Sequence, residues 1–248
     1  MKLLIDLGNT NLKWCLAGPQ GLLDVQCYPH QGDAAAISFA FEQAELDFNH
    51  ITSASLCSVA SVELVQAVNH YLSSRVSVEL ISVSPQACGV SCAYDDVSRL
   101  GVDRWAGLIA AHNLFPQQAV LVVDIGTAVT LDGLLATGEH LGGQIIPGLE
   151  MMQLSLGRGT AQVGFVSTDK HAPAWFGRTT EQGVDSGTRY AIASLIEAAY
   201  KVLLSDYDSN AVLLLTGGGM EMIKPIIKVT MRSEPELVFQ GLSLIAGD

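Results

Sequence analysis

The segment Leu3-Leu-Ile-Asp-Leu-Gly-Asn-Thr-Asn-Leu-Lys-Trp-Cys-Leu16 returns in altered form as Leu121-Val-Val-Asp-Ile-Gly-Thr-Ala-Val-Thr-Leu-Asp-Gly-Leu134. In each copy three apolar residues lead into Asp-x-Gly and a small polar residue. Asp6, Gly8 and Asn9 therefore align with Asp124, Gly126 and Thr127. A strand that ends in a carboxylate and then turns on glycine is suited to a metal-bound phosphate. The carboxylate can hold a cation directly or through water. Glycine lets backbone N–H groups approach an anion with no side chain in the way. A lone Gly-Asn pair is also an ordinary hairpin turn. Its recurrence 118 residues later predicts two half-domains that face one nucleotide across a cleft. In the first copy Asp6 would hold magnesium, the amides of Gly8, Asn9 and Thr10 would face the phosphates, and Lys13 would add positive charge across the hairpin.

The rest of the chain predicts alternating β and α elements, hence an α/β fold. Strands are expected at 2–6, 11–17, 22–28, 51–59 and 76–82, with helices at 34–48, capped by Asp33, and at 61–73. A further helix spans 102–114. The second copy repeats strand–turn–strand–strand at 119–124, 128–135 and 139–146. A helix follows from Gly148 to Leu156, then a loop over 157–178 and a long helix over 179–205. A strand at 212–215, a Gly-rich turn with another helix, and a last helix at 235–246 complete the chain. The boundary between halves is expected near 116–118, giving domains 1–117 and 118–248.

Charge and composition narrow the partners. With 49% apolar and 15% charged residues, the 248-residue chain can bury a large core. Thirteen Lys and Arg against 25 Asp and Glu give a net charge of −12, which disfavours nucleic acid and anionic membrane. An anionic substrate then needs a metal and a few placed cations. The five cysteines follow neither a disulfide framework nor zinc spacing, which fits a reducing cytoplasm. The apolar run before Asp6 is too short for a signal peptide. The most apolar segment, 119–135, contains Asp124 and Asp132, so no membrane span is expected.

Three further motifs bear on chemistry. Gly101-Val-Asp-Arg104 places an acid and a base at a helix start. Asp103 there either stabilises the helix dipole or serves as general base for a substrate hydroxyl, with Arg104 clamping a carboxylate or phosphate. Thr216-Gly-Gly-Gly219 joins a strand to a helix, a favourable place for phosphate or a flat base. Gly142-Gly-Gln-Ile-Ile-Pro-Gly148 ends in an ordinary turn, but Gly142-Gly143 suggests backbone approach to a ligand or partner. The six histidines are scattered and read as surface or helix-end residues.

Taken in order from residue 3 to about residue 244, these motifs, together with Thr180 through Gly187, closely resemble type III pantothenate kinase, of the acetate and sugar kinase, heat-shock chaperone and actin superfamily. The resemblance implies two ribonuclease-H-like (actin-like ATPase) domains related by duplication, with ATP between them. It implies that Asp6, Leu7, Gly8, Asn9, Thr10, Asn11, Leu12 and Lys13 form the first ATP phosphate turn and that Thr127 contacts ATP. Asp103 would take the proton from the pantothenate hydroxyl. Tyr94, Gly101, Val102, Arg104 and Thr180 would bind pantothenate. Asp124 would help hold a monovalent cation, potassium or ammonium. A homodimer is implied, with the substrate pocket completed at the subunit interface. Gly183 stands where the family pattern has Ala, which loosens a helix but removes no polar group. The activity implied is ATP-dependent formation of 4'-phosphopantothenate, the first step of coenzyme A biosynthesis. The alternatives are a kinase for another small hydroxy or carboxylic substrate, and a non-catalytic accessory protein, as some members of the family were first described.

Overall fold

The computed structural model describes residues 1–159 and 167–247. The chain forms two compact units, Met1–Ala110 with Glu236–Asp248, and Ala111–Pro235. The expected halves, 1–117 and 118–248, differ from these units at two places. The division falls inside the helix at 102–114, and the C-terminal helix returns to the first unit.

In the first unit, β1 (Lys2–Leu7), β2 (Asn11–Gly18), β3 (Gly21–Leu22), β4 (Gln26–Pro29), β5 (Ser53–Ser58) and β6 (Ser77–Leu80) form one sheet in the order β3-β2-β1-β5-β6, with β4 also paired to β2. The strand expected at 22–28 is thus two short ones. A separate small hairpin joins β7 (Gln86–Ala87) and β8 (Val90–Ser91), and has no counterpart among the expected elements. The helices are α1 (Ala34–Gln43), α2 (Val62–Leu72) and α3 (Val102–Leu114). Asp33 caps α1 as expected, accepting from Ala35 N–H at 2.9 Å. The helix stops at Gln43, earlier than expected.

β1 is apolar at nearly every position because both faces of its sheet are covered. Leu3, Ile5 and Leu7 pack with Ile37 and Phe41 of α1 and Leu64, Val68 and Leu72 of α2. Leu4, on the other face, packs with Cys15, Cys57, Ala106 of α3, and Phe239 and Leu242 of α7 (Leu237–Ile245). This is why α7 belongs to the first unit. A Cβ at Gly241 would collide with the Ala106 carbonyl oxygen, so α7 crosses α3 backbone to backbone. Lys2 Nζ also donates to Ala246 O at 2.8 Å. By the two-residue period of a strand, Asp6 lies on the same face as Leu4.

In the second unit, β9 (Val120–Ile125), β10 (Ala128–Leu134), β11 (His140–Pro147), β12 (Val212–Thr216) and β13 (Arg232–Ser233) form a sheet in the order β11-β10-β9-β12-β13. Its plan repeats that of the first sheet. A central strand pairs antiparallel with its hairpin partner on one side and parallel with a later strand on the other, β1 with β2 and β5, β9 with β10 and β12. The helices are α4 (Leu149–Gly159), α5 (Thr180–Asp206) and the short α6 (Met220–Ile223). Leu121, Val123 and Ile125 of β9 pack with Ile192, Ala193 and Ile196 of α5. Asp124 therefore projects from the face opposite α5. Of the loop expected at 157–178, residues 160–166 lie outside the described residues, and 167–178 hold no helix or strand.

That segment is tied to the second unit by Arg189 of α5, which is fully buried. Its guanidinium donates to Asp185 Oδ1 at 2.8 Å, His171 O at 2.9 Å, Ser167 Oγ at 2.9 Å and Asp169 O. Gln153 of α4 accepts from Ser167 N–H at 2.9 Å. One of the few basic residues is thus committed to structure rather than to an anion. Among the described residues, no helix is long and apolar enough to cross a membrane.

Candidate functional site

The first acidic hairpin forms as expected. Leu7 faces Leu12 across the ladder, leaving residues 8–11 in the turn, which closes with Gly8 N–H donating to Asn11 O at 3.0 Å. Asp6 is opposite Lys13 in register, and Lys13 Nζ stands 3.9 Å from Asp6 Oδ2. Asp6 is only 9% exposed, whereas Asn9 is exposed at the tip. The carboxylate is therefore held beneath the turn while the backbone of the turn meets solvent. The carbonyls point inward: Gly8 O lies 3.0 Å from His30 Nε2, and Thr10 O accepts from the N–H groups of His30 at 2.9 Å and Gln31 at 3.1 Å.

Asp103 belongs to the same neighbourhood. It is in the first turn of α3, and its Oδ1 accepts from Arg104 N–H at 2.8 Å. Gly101 leaves the Asp103 carboxylate in place, since a Cβ there would push Asp103 Oδ1 aside and touch Val59 just after β5. Cys57 of β5 is opposite Asp6 in the parallel register. Burial pushes its thiol well above the usual value, and the charges of Asp6 and Asp103 push it the same way. Asp6 beside Cys57 and Asp103 beside Gly101 and Val59 thus both lie at the same end of β5 in the first unit. Arg104 is buried, and its Nη1 donates to the Tyr94 hydroxyl at 3.0 Å, with the guanidinium carbon 5.6 Å from the Tyr94 ring centre. Gly101, Val102, Asp103, Arg104 and Tyr94 thus form one cluster. The buried Cys15 thiol is raised to about 12, by burial first and then by Glu236, so neither it nor Cys57 is a reactive thiolate.

In the second unit the turn is one residue tighter. Ile125 faces Val129, and Gly126 N–H donates to Ala128 O at 3.0 Å. Asp124 is opposite Thr130 on one side and Thr216 on the other. Gly217, at φ +88°, lies against it, and a Cβ there would strike Asp124 Oδ1 and Ile125 O. Gly219 N–H donates to Ile125 O at 2.8 Å. The Gly-rich segment therefore serves the acidic turn. The helix it opens, α6, has four residues, too few for the anion-binding dipole expected of it. Thr127 is exposed, and its carbonyl accepts from Gly148 N–H at 2.9 Å. Thr180 is exposed in the first turn of α5, directly after the Thr179 cap, whose Oγ1 accepts from Gln182 N–H at 3.2 Å.

Gly142, at φ +99°, stands beside a β-bulge, where the register of β10 and β11 shifts between Gly133 and Leu134. The glycine of that motif that makes a close approach is Gly148, where a Cβ would meet the carbonyls of Gly126 and Thr127. His30 and His140 are buried rather than surface residues. His140 Nε2 pairs with Asp132 Oδ1 at 2.9 Å inside the second unit. Sequence reading missed both because each is defined by partners distant in the chain or across a ladder. Among the described residues, no group of three His, Cys, Asp or Glu is arranged to hold a metal.

Comparison with known proteins places these motifs in a lineage. The family model for type III pantothenate kinase matches residues 2–202. A type III pantothenate kinase of Burkholderia cenocepacia (strain HI2424) is 33% identical over 260 residues, covering 99% of this chain and 95% of the relative. Among solved structures, a conserved putative Baf family transcriptional activator from Campylobacter jejuni superposes with a TM-score of 0.59 at 20% identity, covering 97% of this chain and 95% of that one. MreB 5 of Spiroplasma citri bound to AMPPNP superposes with a TM-score of 0.54 at 11% identity, covering 98% and 95%. At such identities the structures speak for the fold alone, and that fold is the actin-like ATPase fold.

Proposed function

The chain belongs to the type III pantothenate kinase family, and on that premise we propose that it transfers the γ-phosphoryl group of ATP to the hydroxyl of pantothenate, giving 4'-phosphopantothenate and ADP at the entry to coenzyme A biosynthesis. The observation that carries this reading is that the end of β1, where Asp6 lies opposite Cys57, and the start of α3, where Gly101 sits against both Val59 and the Asp103 carboxylate, meet at one end of β5. A phosphate-turn carboxylate and a candidate base, 97 residues apart in sequence, serve one neighbourhood.

Phosphoryl transfer has a loose transition state, so the protein acts mainly by positioning and charge neutralisation. The turn from Asp6 to Lys13 would receive the phosphates on its backbone amides. Asp103 would orient the acceptor hydroxyl, and its carboxylate would take the proton late, as the new O–P bond forms and the bond to the ADP oxygen breaks. Arg104, braced by Tyr94, would clamp the pantothenate carboxylate, with Gly101 and Val102 beside it, and Thr180 would be a further pantothenate contact. Thr127 would contact ATP. The mostly buried carboxylate of Asp6 suits magnesium, which is commonly held by one or two carboxylates together with substrate phosphates and water. Asp124, pressed against Gly217, offers an oxygen donor for potassium or ammonium. When bound, these cations would offset negative charge on the phosphates. A homodimer and a cytoplasmic setting complete the proposal.

The test is a coupled ADP-release assay with pantothenate beside glucose, glycerol and acetate, each with and without potassium. Turnover confined to pantothenate and raised by potassium is expected. Turnover on another acceptor alone would make this a kinase of different substrate, and no turnover with any acceptor would favour an accessory protein.

A further inference from the structure

We propose that His30 is a positioning residue of the first phosphate turn, locking the Gly8–Asn9 peptide with its N–H toward the phosphates; this rests on the nucleotide-binding reading of that turn. His30 follows β4 and is 3% exposed. Its Nδ1 lies 3.0 Å from Gly32 N, and a backbone amide can only donate. Nδ1 is therefore the acceptor, Nε2 carries the proton, and Nε2–H donates to Gly8 O at 3.0 Å. The imidazole is a neutral bridge between two backbones.

The backbone that carries the ring is held as well. His30 N–H donates to Thr10 O at 2.9 Å, His30 O accepts from Asp33 N–H at 2.8 Å, and the Gln31 backbone sets the Gly32 amide against Nδ1. Gln31 adopts φ +50°, a conformation that a side-chain-bearing residue rarely takes. The segment 30–33 is thus shaped around the imidazole.

The consequence lies in the geometry of a trans peptide, whose C=O and N–H point in opposite directions. No cis peptide occurs among the described residues. With Gly8 O fixed toward His30, the Asn9 N–H faces away from the 30–33 segment. Glycine at position 8 leaves this peptide otherwise easy to rotate. A flipped peptide would aim a carbonyl oxygen at the phosphates, turning attraction into repulsion. The Nε2–H bond holds the favourable orientation before the nucleotide arrives.

Two variants separate this role from simple packing. His30→Asn keeps an acceptor near Nδ1 for Gly32 but stops short of Gly8 O. His30→Gln carries an amide N–H out to the Nε2 position. Calorimetric titration with magnesium-ATP is expected to show affinity about tenfold weaker for His30→Asn and close to normal for His30→Gln, the size expected for one lost hydrogen bond. In turnover assays the KM for ATP should rise in His30→Asn while that for pantothenate stays put. Normal ATP affinity in His30→Asn, equal losses in both variants, or parallel rises in both KM values would each overturn the proposal. Should His30→Asn fail to fold, weak ATP binding by a folded His30→Gln would overturn it as well. Because ATP binding is read directly, these results stand whichever acceptor the protein uses, whereas failure of wild-type turnover on pantothenate would count against the functional reading alone.

Discussion

Asp103 has two uses at the start of α3. As a carboxylate in the first turn it favours the helix dipole, and as a base it can take a proton from an acceptor alcohol. Asparagine separates them. Its amide oxygen can still accept from Arg104 N–H, so the helix start survives, but it has almost no basicity. Asp103→Asn is expected to melt near the wild-type temperature while kcat falls on the order of 10²–10⁴. Steady-state kinetics with a matched thermal melt would check this, and near-normal kcat would remove Asp103 as the base. At this scale the sequence was legible where a residue acts through its own neighbours. Asp6 with Lys13, and Gly101 with Asp103, are local pairs set by a hairpin and a helix start. His30 and Arg189 were not legible, because Gly8 for His30 and Ser167 and His171 for Arg189 lie 18 to 22 residues away and only folding assembles them.

Elements follow the same division. The long helices and the paired hairpins were predicted to within a few residues, since apolar periodicity and Gly turns are local signals. The two-residue strands β3, β7, β8 and β13 were not, because such strands exist only through their partners. The docking of α7 is the clearest tertiary decision. Nothing in Leu237–Ile245 says which sheet it covers, yet Gly241 fits against Ala106 O with no room for a side chain. Gly241→Val is expected to destabilise the protein by about 1–3 kcal/mol, the range for overpacking. Urea unfolding should show a lower midpoint, and an unchanged midpoint would mean that α7 does not hold this crossing in solution.

For the whole molecule, charge sets the response to acid. Asp208 is held below the usual carboxylate range by the N–H groups of Ala119 and then Asn210, Asp96 by the Ser98 hydroxyl and then its N–H, and Asp169 by His171 N–H and then its ring. A depressed folded pKa adds stability above the unfolded value, near 3.9 for Asp, and that stability is lost as pH falls through the folded value. Protonation first relieves the repulsion of a net charge of −12, but once the carboxylates are neutral, 13 Lys and Arg and 6 His stand unopposed. The melting temperature is therefore expected to fall below about pH 4. Scanning calorimetry from pH 7 to 3 at low salt would test this, and a melting temperature still rising at pH 3 would refute it.

By itself the sequence determined that the chain is duplicated, that each copy ends a buried strand in a carboxylate before a glycine turn, and that a third carboxylate begins a helix, because each of these is written in residues a few positions apart. Tertiary structure alone decided that Asp6 and Asp103 come to the same end of β5, that the last helix closes the first unit, and that a buried histidine braces the first turn. Those are contacts between segments far apart in the chain, and their energies arise only when burial and hydrogen bonding outweigh the entropy of bringing the segments together.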